Sequence, residues 1–376
     1  MAAVRLAYEL LAEIFKIYVS FPDTISDVPF PDTSPETLLQ VCRSWSAVAS
    51  NEHILWTRFT VSRHMLNLTV DCVGRVTGTT LDRDWIGIFK RRLARAGPSL
   101  PLQIEIVHLH KLLLPIIDVI SGGAPDYIHL PRWEILGLRA CVWIRPNNHA
   151  LQDFATEEWG GSADLISQPT PSFRRLTLQR NDIDFHAFPD APNLEELNVI
   201  YNRSPAIGKM NSFPNLKKVH ITYPWKYPLS WVRLADFSLQ KIETLIIGGE
   251  VDIRRYAQGT YPSLTTLELT GRVPHGIVNI SAPNLQHLIL PHADLFCLVP
   301  GHPDGESEDG NPQPNNTQVL EMLANRFPTV EILEVHESLQ SLVSEMSSGE
   351  NRFFTGLKEL RIVPKDYRPI MGDDAY

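Results

Sequence analysis

The chain has 376 residues, of which 43% are hydrophobic and 20% are charged, and its formal net charge is −9. This length and composition fit a globular protein of two or three folding units with a sizeable core. The negative balance argues against a protein that binds nucleic acid mainly through phosphate contacts, and against docking on an anionic membrane.

Targeting and redox signals are sparse. Glu9, Glu13 and Lys16 interrupt the first apolar stretch, so we expect no secretory signal. No run of about 18 apolar residues predicts a membrane-spanning helix. The four cysteines form no C-x-x-C pair and are interpreted as reduced, buried thiols. The sequence therefore predicts a cytoplasmic or nuclear protein that does not associate with membranes.

The N-terminus predicts an amphipathic helix that ends before Pro22. Its apolar residues are spaced by 4, 1, 3, 1 and 3 positions, which places them along one face. These residues are Leu6, Leu10, Leu11, Ile14, Phe15 and Tyr18.

A second helix is predicted to begin at Ser34-Pro35-Glu36, after a proline-rich loop over residues 19–33. Serine caps free amides, proline suits the first turn, and glutamate favours the positive end of the helix dipole. The apolar positions of this helix and of a shorter third segment are Leu38, Leu39, Val41, Cys42, Trp45 and Val48, then Ile54, Leu55 and Trp56. Such a small bundle is too short to be stable alone, so we expect it to pack on the next domain, on a partner or on both.

These three segments resemble the F-box. Residues 6–15 (LAYELLAEIF) are similar to its opening signature LPxELLxxIF, residues 38–49 (LLQVCRSWSAVA) to its second signature VCrxWrxlA, and Leu55-Trp56 to the closing LW. The proline-rich insert is similar to that of the large fungal subset of F-box proteins. Ala7 stands where the family has a proline that touches the adaptor, a departure that bears on adaptor affinity.

The resemblance implies that residues 4–60 form a three-helix F-box that binds a Skp-type adaptor and, through it, a cullin. The positions assigned to adaptor contact or to shaping the motif are Leu6, Glu9, Leu10, Ile14, Leu38, Val41, Trp45 and Trp56. Periodicity does not separate contact residues from the module's own core. The alternative is a generic helical cap on a repeat protein, in which Trp45 and Trp56 are core residues and nothing more.

Residues 61–130 are interpreted as a connecting region of helices and strands. Leu81–Ala96 predicts a helix, Leu102–Ile106 a strand by alternation, and Lys111–Ser121 a second helix ending at Gly122-Gly123. A basic cluster lies near the end of the first helix: Lys90, Arg91, Arg92 and Arg95. We interpret it as a solvated helix end matched to the dipole, in preference to a nucleic-acid contact.

From residue 171 a pattern P-x-L-x-x-L-x-L recurs, with apolar substitutions. Its first apolar position falls on Phe173, Leu194, Leu216, Ile242, Leu264, Leu285, Val330 and Leu357. The interval of 45 residues between Leu285 and Val330 is about two periods, which predicts one degenerate or expanded unit there. A further unit is predicted at Trp133, Leu136 and Leu138.

This period resembles that of leucine-rich repeats, in which each unit is a short strand with a return segment. We therefore expect residues 131–363 to form an irregular α/β solenoid. Asparagine at the usual turn position occurs as Asn181 and Asn202 but not in later units. A different β-rich fold is the alternative.

The strand face opposite the core is the predicted binding surface for an unknown protein substrate. Its central positions are Thr177, Asn198, His220, Ile246, Glu268, Ile289, Glu334 and Arg361. A plain solvated sheet face is the alternative for the same row.

No sequence feature predicts catalysis. The chain has no P-loop, HExxH, GxSxG or GxGxxG motif, and its histidines and cysteines suggest neither a metal site nor a nucleophile. An acidic loop is predicted at residues 300–316 and a frayed tail at 364–376. We thus expect a non-enzymatic substrate receptor of an SCF-type (Skp, cullin, F-box) ubiquitin ligase without cofactors, or else a non-ligase repeat scaffold.

Overall fold

The chain divides into two compact units, Met1–Gly160 and Gly161–Tyr376. The computed structural model describes residues 7–20, 35–62, 65–70, 76–107, 111–123, 126, 128–139, 173–179, 192–200, 213–222, 239–248, 259–270, 277, 280–291, 316–348 and 354–363. Leu6, Asn181, Asn202, the acidic residues 300–315 and the tail 364–376 lie outside these ranges.

The first unit opens with three helices and a 3-10 turn. They are α1 (Tyr8–Ser20), α2 (Pro35–Val41), α3 (Arg43–Asn51) and the turn His53–Trp56. α1 ends before Pro22, as predicted. The described helices include none that is long and apolar enough to cross a bilayer.

The continuous second helix predicted from the apolar spacing is wrong, because the chain breaks at Cys42. Cys42 has extended backbone angles (φ −162°, ψ 169°) between α2 and α3. Its neighbours in sequence include no glycine or proline, so the break follows from tertiary packing rather than from a local helix breaker. The thiol is exposed, which also corrects its interpretation as a buried group.

The rest of the first unit is a small parallel sheet with two helices. Strands β1 (Arg58–Val61), β4 (Leu102–Ile106) and β5 (Trp133–Arg139) pair in that order. Helix α4 (Trp85–Ala96) precedes β4, and helix α5 (Leu114–Ser121) precedes β5. An antiparallel hairpin of β2 (Leu66–Val70) and β3 (Val76–Leu81) was not predicted.

α4 begins four residues later than the apolar pattern suggests. The carboxylate of Asp84 accepts a hydrogen bond from the Gly87 amide at 2.9 Å and so caps the helix. Leu81 is the last residue of β3 instead. The predicted strand at Leu102–Ile106 and the helix ending at Gly122 are confirmed; Gly122 has φ +94°, a left-handed value that suits glycine.

The second unit is built on a parallel sheet. Among the described residues its strands are ordered β6 (Arg175–Gln179), β7 (Glu196–Ile200), β8 (Lys218–Thr222), β9 (Thr244–Gly248), β11 (Thr266–Leu269), β13 (His287–Leu290), β14 (Ile332–His336) and β15 (Glu359–Val363). β10 (Gly259–Thr260) and β12 (Ile280–Ser281) form a separate short parallel pair. Helices α6 (Asn316–Arg326) and α7 (Gln340–Ser348) lie before and after β14.

Each predicted unit supplies one of these eight strands, and the apolar pattern forms the core. Leu194, Leu197 and Val199 of β7 and its approach are fully buried, as are the equivalent positions Leu285, Leu288 and Leu290. A parallel strand alone leaves such a face in water, whereas stacked strands cover it from both sides. The expectation of a solenoid-like α/β fold is thereby confirmed.

In the described part of the chain, the long interval before Val330 is one expanded unit, and no strand lies between β13 and β14 in the sheet. β13 pairs directly with β14, and His287 lies opposite Ile332. The return segment between them includes α6, whose Val319, Leu320 and Leu323 are buried. Extra length was therefore added to the connection, where it leaves the ladder of strand hydrogen bonds intact.

A ladder of polar side chains joins successive units, and the apolar pattern does not predict it. The residue between the repeated proline and the first leucine donates to a carbonyl of the preceding unit: Asn215 to Pro192 (2.8 Å), Ser263 to Gln240 (2.6 Å), and Asn284 to Pro262 (2.7 Å). These bonds satisfy turn carbonyls that the strand ladder does not reach.

Leu288→Ala should lower the free energy of unfolding by about 2–5 kcal/mol, because it leaves a cavity between tightly packed strands. The equivalent Leu360→Ala in β15 should cost clearly less, since Leu360 is only half-buried. Urea unfolding of both variants checks the order, and equal losses would contradict the described difference in burial.

Candidate protein-interaction surfaces

The apolar residues of α1 are divided between the core and the surface. Leu11 and Phe15 are buried, whereas Leu10 and Ile14 remain 55% and 45% exposed. The predicted apolar arc spans roughly half the helix circumference, too wide to be covered by one neighbour. Leu10, Ile14 and Ile17 form an outward stripe centred about 110° around the helix axis from Leu11 and Phe15, at 100° per residue.

Large exposed apolar side chains are concentrated in these helices. Six of the eight found in the part of the chain that the structure describes precede residue 55. We call them the exposed N-terminal set: Tyr8, Leu10, Ile14, Ile17, Val41 and Ile54. The other two are Ile128 and Ile362.

The positions assigned to adaptor binding differ in their exposure to solvent. Glu9, Leu10, Ile14 and Val41 are exposed, Leu38 and Trp56 are buried, and Trp45 is half-buried against Phe15, with ring centroids 4.9 Å apart. The indole of Trp56 donates to the Ala49 carbonyl at 2.8 Å, which marks it as a core residue. Leu6 lies outside the described residues.

An open groove of about 460 Å³ lies along α2 and α3. Its lining mixes apolar and polar side chains with one cation: Leu39, Gln40, Cys42, Arg43, Ser46, Ala47 and Ser50. The break at Cys42 forms part of this groove. The described residues include no group of three or more histidine, cysteine or acidic side chains placed to hold a metal ion.

Two residues of the basic cluster on α4, Arg92 and Arg95, contact the N-terminal helices. The sequence predicts that this cluster is a solvated helix end. Arg92 binds both carboxylate oxygens of Glu36, at 2.7 Å and 2.5 Å, and its side chain is only 11% exposed. The Arg95 guanidinium lies 4.5 Å above the Trp56 ring. The interpretation of these two arginines as solvated is therefore wrong, because they hold α2 and the 3-10 turn in place.

On the second unit, the predicted outer row is confirmed in register. Thr177 pairs with Asn198, Asn198 with His220, His220 with Ile246, and the alignment continues through Glu268, Ile289, Glu334 and Arg361. One unbroken line of side chains thus crosses eight strands on the face opposite the core. Its role in binding stays a prediction.

Two charged clusters lie toward the ends of this row. In the first, Glu196 binds Arg175 at 2.7 Å and Lys218 at 3.4 Å. In the second, Arg361 binds Glu334 at 3.2 Å and Glu359 at 2.8 Å. His287 Nε2 also lies 3.0 Å from Glu334 Oε1, out of line for a hydrogen bond.

These ion pairs keep the carboxylates charged. Burial raises the pKa of Glu196, but the charges of Lys218 and Arg175 outweigh it and leave the pKa below its usual value. Hydrogen bonds from Arg361 likewise hold the pKa of Glu359 below its usual value. Both ends of the row therefore present fixed charges at neutral pH.

The centre of the row is buried, which the alternating pattern does not show. His220 is 4% exposed and Ile246 is 8% exposed. Burial, helped by the charge of Lys218 and opposed by Glu196, lowers the pKa of His220 to about 4. The imidazole is therefore neutral at physiological pH.

No protein-family model matches the chain, and no curated protein matches it. The solved structures that match include the crystal structure of a Bacteroides fragilis protein, a structural genomics target. The two sequences are 14% identical, the TM-score is 0.26, and the match covers 69% of this chain. It covers 59% of the other chain, so this protein spans about three fifths of that length.

Arg92→Lys should lower the free energy of unfolding by about 1–2 kcal/mol, because lysine keeps the charge but cannot bind both Glu36 oxygens. Arg91→Lys on the exposed side of α4 is the matched control and should have no measurable effect. Denaturant titration measures both variants, and equal behaviour would show that the pair with Glu36 does not stabilise the unit.

His220 should make stability depend on pH. The folded-state pKa of about 4 lies below the unfolded value of 6.5, so the unfolded state binds more protons between these values. Stability from this group is complete above pH 6.5 and is lost as the pH falls toward 4, by about 3 kcal/mol. The His220→Leu variant should lose that much less stability between pH 7 and pH 4; the same loss in both proteins would refute the assignment.

Proposed function

We propose that this chain is the substrate receptor of an SCF-type ubiquitin ligase in the cytoplasm or nucleus. Its N-terminal helices bind a Skp-type adaptor, which connects to a cullin, and the outer row binds a target protein. The observation that supports this most is the exposed N-terminal set, which accompanies the three ordered F-box signatures of the sequence.

The exposed N-terminal set is more than a helical cap needs. A cap buries one apolar face against the repeats, and Leu11, Phe15 and Leu38 already supply buried contacts. Leu10, Ile14 and Ile17 are about half exposed, so a partner that covers them would gain roughly 1–1.5 kcal/mol for each side chain. Contiguous exposed apolar residues of this kind are typical of protein-interaction sites.

The groove along α2 and α3 supports the same proposal. The lining of the groove combines the apolar residues Leu39 and Ala47 with Arg43 and two serines, Ser46 and Ser50. Protein interfaces likewise combine apolar contacts with polar and charged side chains. Glu9, exposed on α1, adds a charge beside the apolar stripe.

The chain itself performs no ubiquitin chemistry in this proposal. Its contribution is proximity: the bound target is held near catalytic subunits, which converts a bimolecular encounter into a local one. The fixed charges at both ends of the outer row suit this task, because complementary charges select partners and orient them.

A non-ligase scaffold is the second candidate. The contacts of Arg92 with Glu36 and of Arg95 with Trp56 favour it, because a structural cap would be attached in this way. The two candidates differ in whether the outward stripe of α1 binds the adaptor.

Leu10→Asp combined with Ile14→Asp should abolish copurification of the full chain with a Skp-type adaptor. Both side chains are exposed, so the thermal unfolding midpoint should change little. Coexpression followed by affinity purification and a quantitative binding titration measures the effect.

Ile128→Asp is the matched control, because Ile128 is equally large, apolar and exposed but lies outside the exposed N-terminal set. It should retain adaptor binding. Undiminished binding by the Leu10/Ile14 variant, or no binding by the native chain, would leave the scaffold as the better proposal.

A further inference from the structure

β15 is a sheet edge. Among the described residues it has a strand neighbour on one side alone, where Leu360 pairs with Leu333 of β14. The backbone groups of its other side face away from that ladder. Such an edge is a template for a further strand, and natural proteins ordinarily cover or blunt it.

The core face of β15 is also more exposed than that of the other strands. Ile362 is 38% exposed, whereas the equivalent Leu290 and Val335 are fully buried. Leu357 and Leu360 are half-buried, although their counterparts Val330 and Leu333 are fully buried. Ile362 is the one exposed large apolar residue in the described part of the second unit. Among the described residues, the apolar face of β15 is thus less completely covered than the equivalent face of β13 and β14.

The outer face of β15 has a self-complementary charge pattern. Glu359 and Arg361 are two positions apart and point to the same face of the strand. If two copies of β15 pair antiparallel about Leu360, Glu359 of each copy lies opposite Arg361 of the other. Pairing about Glu359 or Arg361 would instead oppose like charges, which destabilises a sheet.

We propose that two copies of this chain form a symmetric dimer through antiparallel pairing of their β15 strands about Leu360. The two-fold axis is perpendicular to the sheet. The core faces of both copies therefore lie on one side of the joined sheet, and the outer faces lie on the other side. Leu360 then meets Leu360 of the second copy. Ile362 lies beside Lys358 of the second copy, whose aliphatic stem covers it. This dimer is independent of adaptor binding and goes beyond the proposed ligase function.

Apolar burial and backbone hydrogen bonds stabilise this dimer, and charge sets its register. Within one copy, Arg361 already binds Glu359 and Glu334. In the dimer, Arg361 would bind Glu359 of the second copy instead of its own Glu359, so the number of ion pairs would change little. Exposed ion pairs contribute little to affinity in any case, whereas like charges directly opposed prevent pairing.

Sedimentation equilibrium of the full chain tests the proposal. The native chain should reach twice its mass of 42.5 kDa as its concentration rises. Glu359→Arg and Arg361→Glu should each remain monomeric, because both variants oppose like charges across the two-fold axis. An equimolar mixture of the two should form heterodimers, since the opposed charges are then complementary. Lys217→Glu, an exposed charge reversal away from β15, should dimerise like the native chain.

Crosslinking provides a second measurement that requires no charge reversal. Residues opposed across an antiparallel pair have Cα atoms about 4.5–5.5 Å apart, within the range of a disulfide. Leu360→Cys in a background with Cys42, Cys72, Cys141 and Cys297 all changed to serine should therefore give a disulfide-linked dimer under mild oxidation, and that background alone should not.

Three results would overturn the proposal: a native chain that stays monomeric at all concentrations, a mixture of variants that forms no heterodimer, or no crosslink at position 360. A monomer would instead indicate that other residues of the same chain cover the edge. Loss of adaptor binding in the Leu10/Ile14 variant leaves these outcomes unchanged, so the two proposals fail separately.

Discussion

A parallel strand cannot bury its apolar face by itself, and this constraint governs the second unit. Each repeat must have apolar residues at the same two or three positions as the neighbouring repeats, because only aligned side chains form a closed core. Leu197, Val219 and Leu245 illustrate the rule: they align in successive strands and all three are fully buried. Variation is then confined to the connections, as with α6 before β14.

In the first unit, a single bidentate pair has a comparable role. Arg92 forms two hydrogen bonds with Glu36, which lies 56 positions earlier in the sequence, and so connects the start of α2 to α4. The aromatic contacts of Phe59 with Phe89 and of Arg95 with Trp56 lie around this link. Since the inner side of the N-terminal helices is held in this way, their outward apolar residues need not contribute to folding.

The repeating pattern predicts strand register well, because side chains alternate with a period of two and the leucine spacing aligns each unit with the next. The predicted register of all eight positions of the outer row is confirmed for that reason. Burial within the row was not predictable: His220 and Thr177 occupy equivalent positions, yet His220 is buried and Thr177 is half-buried. The ion pair of Arg92 was not predictable for a similar reason. The four basic residues of the cluster are equivalent in sequence, and only the folded chain shows which of them contacts the distant Glu36. The break at Cys42 has no local signal at all, and the roles assigned to the F-box positions and to the outer row stay predictions.

The position of the two charged clusters determines what size of ligand can use both. Glu196 lies on β7 and Glu334 on β14, five strand steps apart in the sheet. At about 4.8 Å for each step, the two carboxylates are separated by roughly 24 Å across the strands. An extended segment needs about seven residues to cover that length, and a helix about sixteen. A metabolite-sized ligand can reach one cluster alone, whereas simultaneous contact with both selects for a polypeptide.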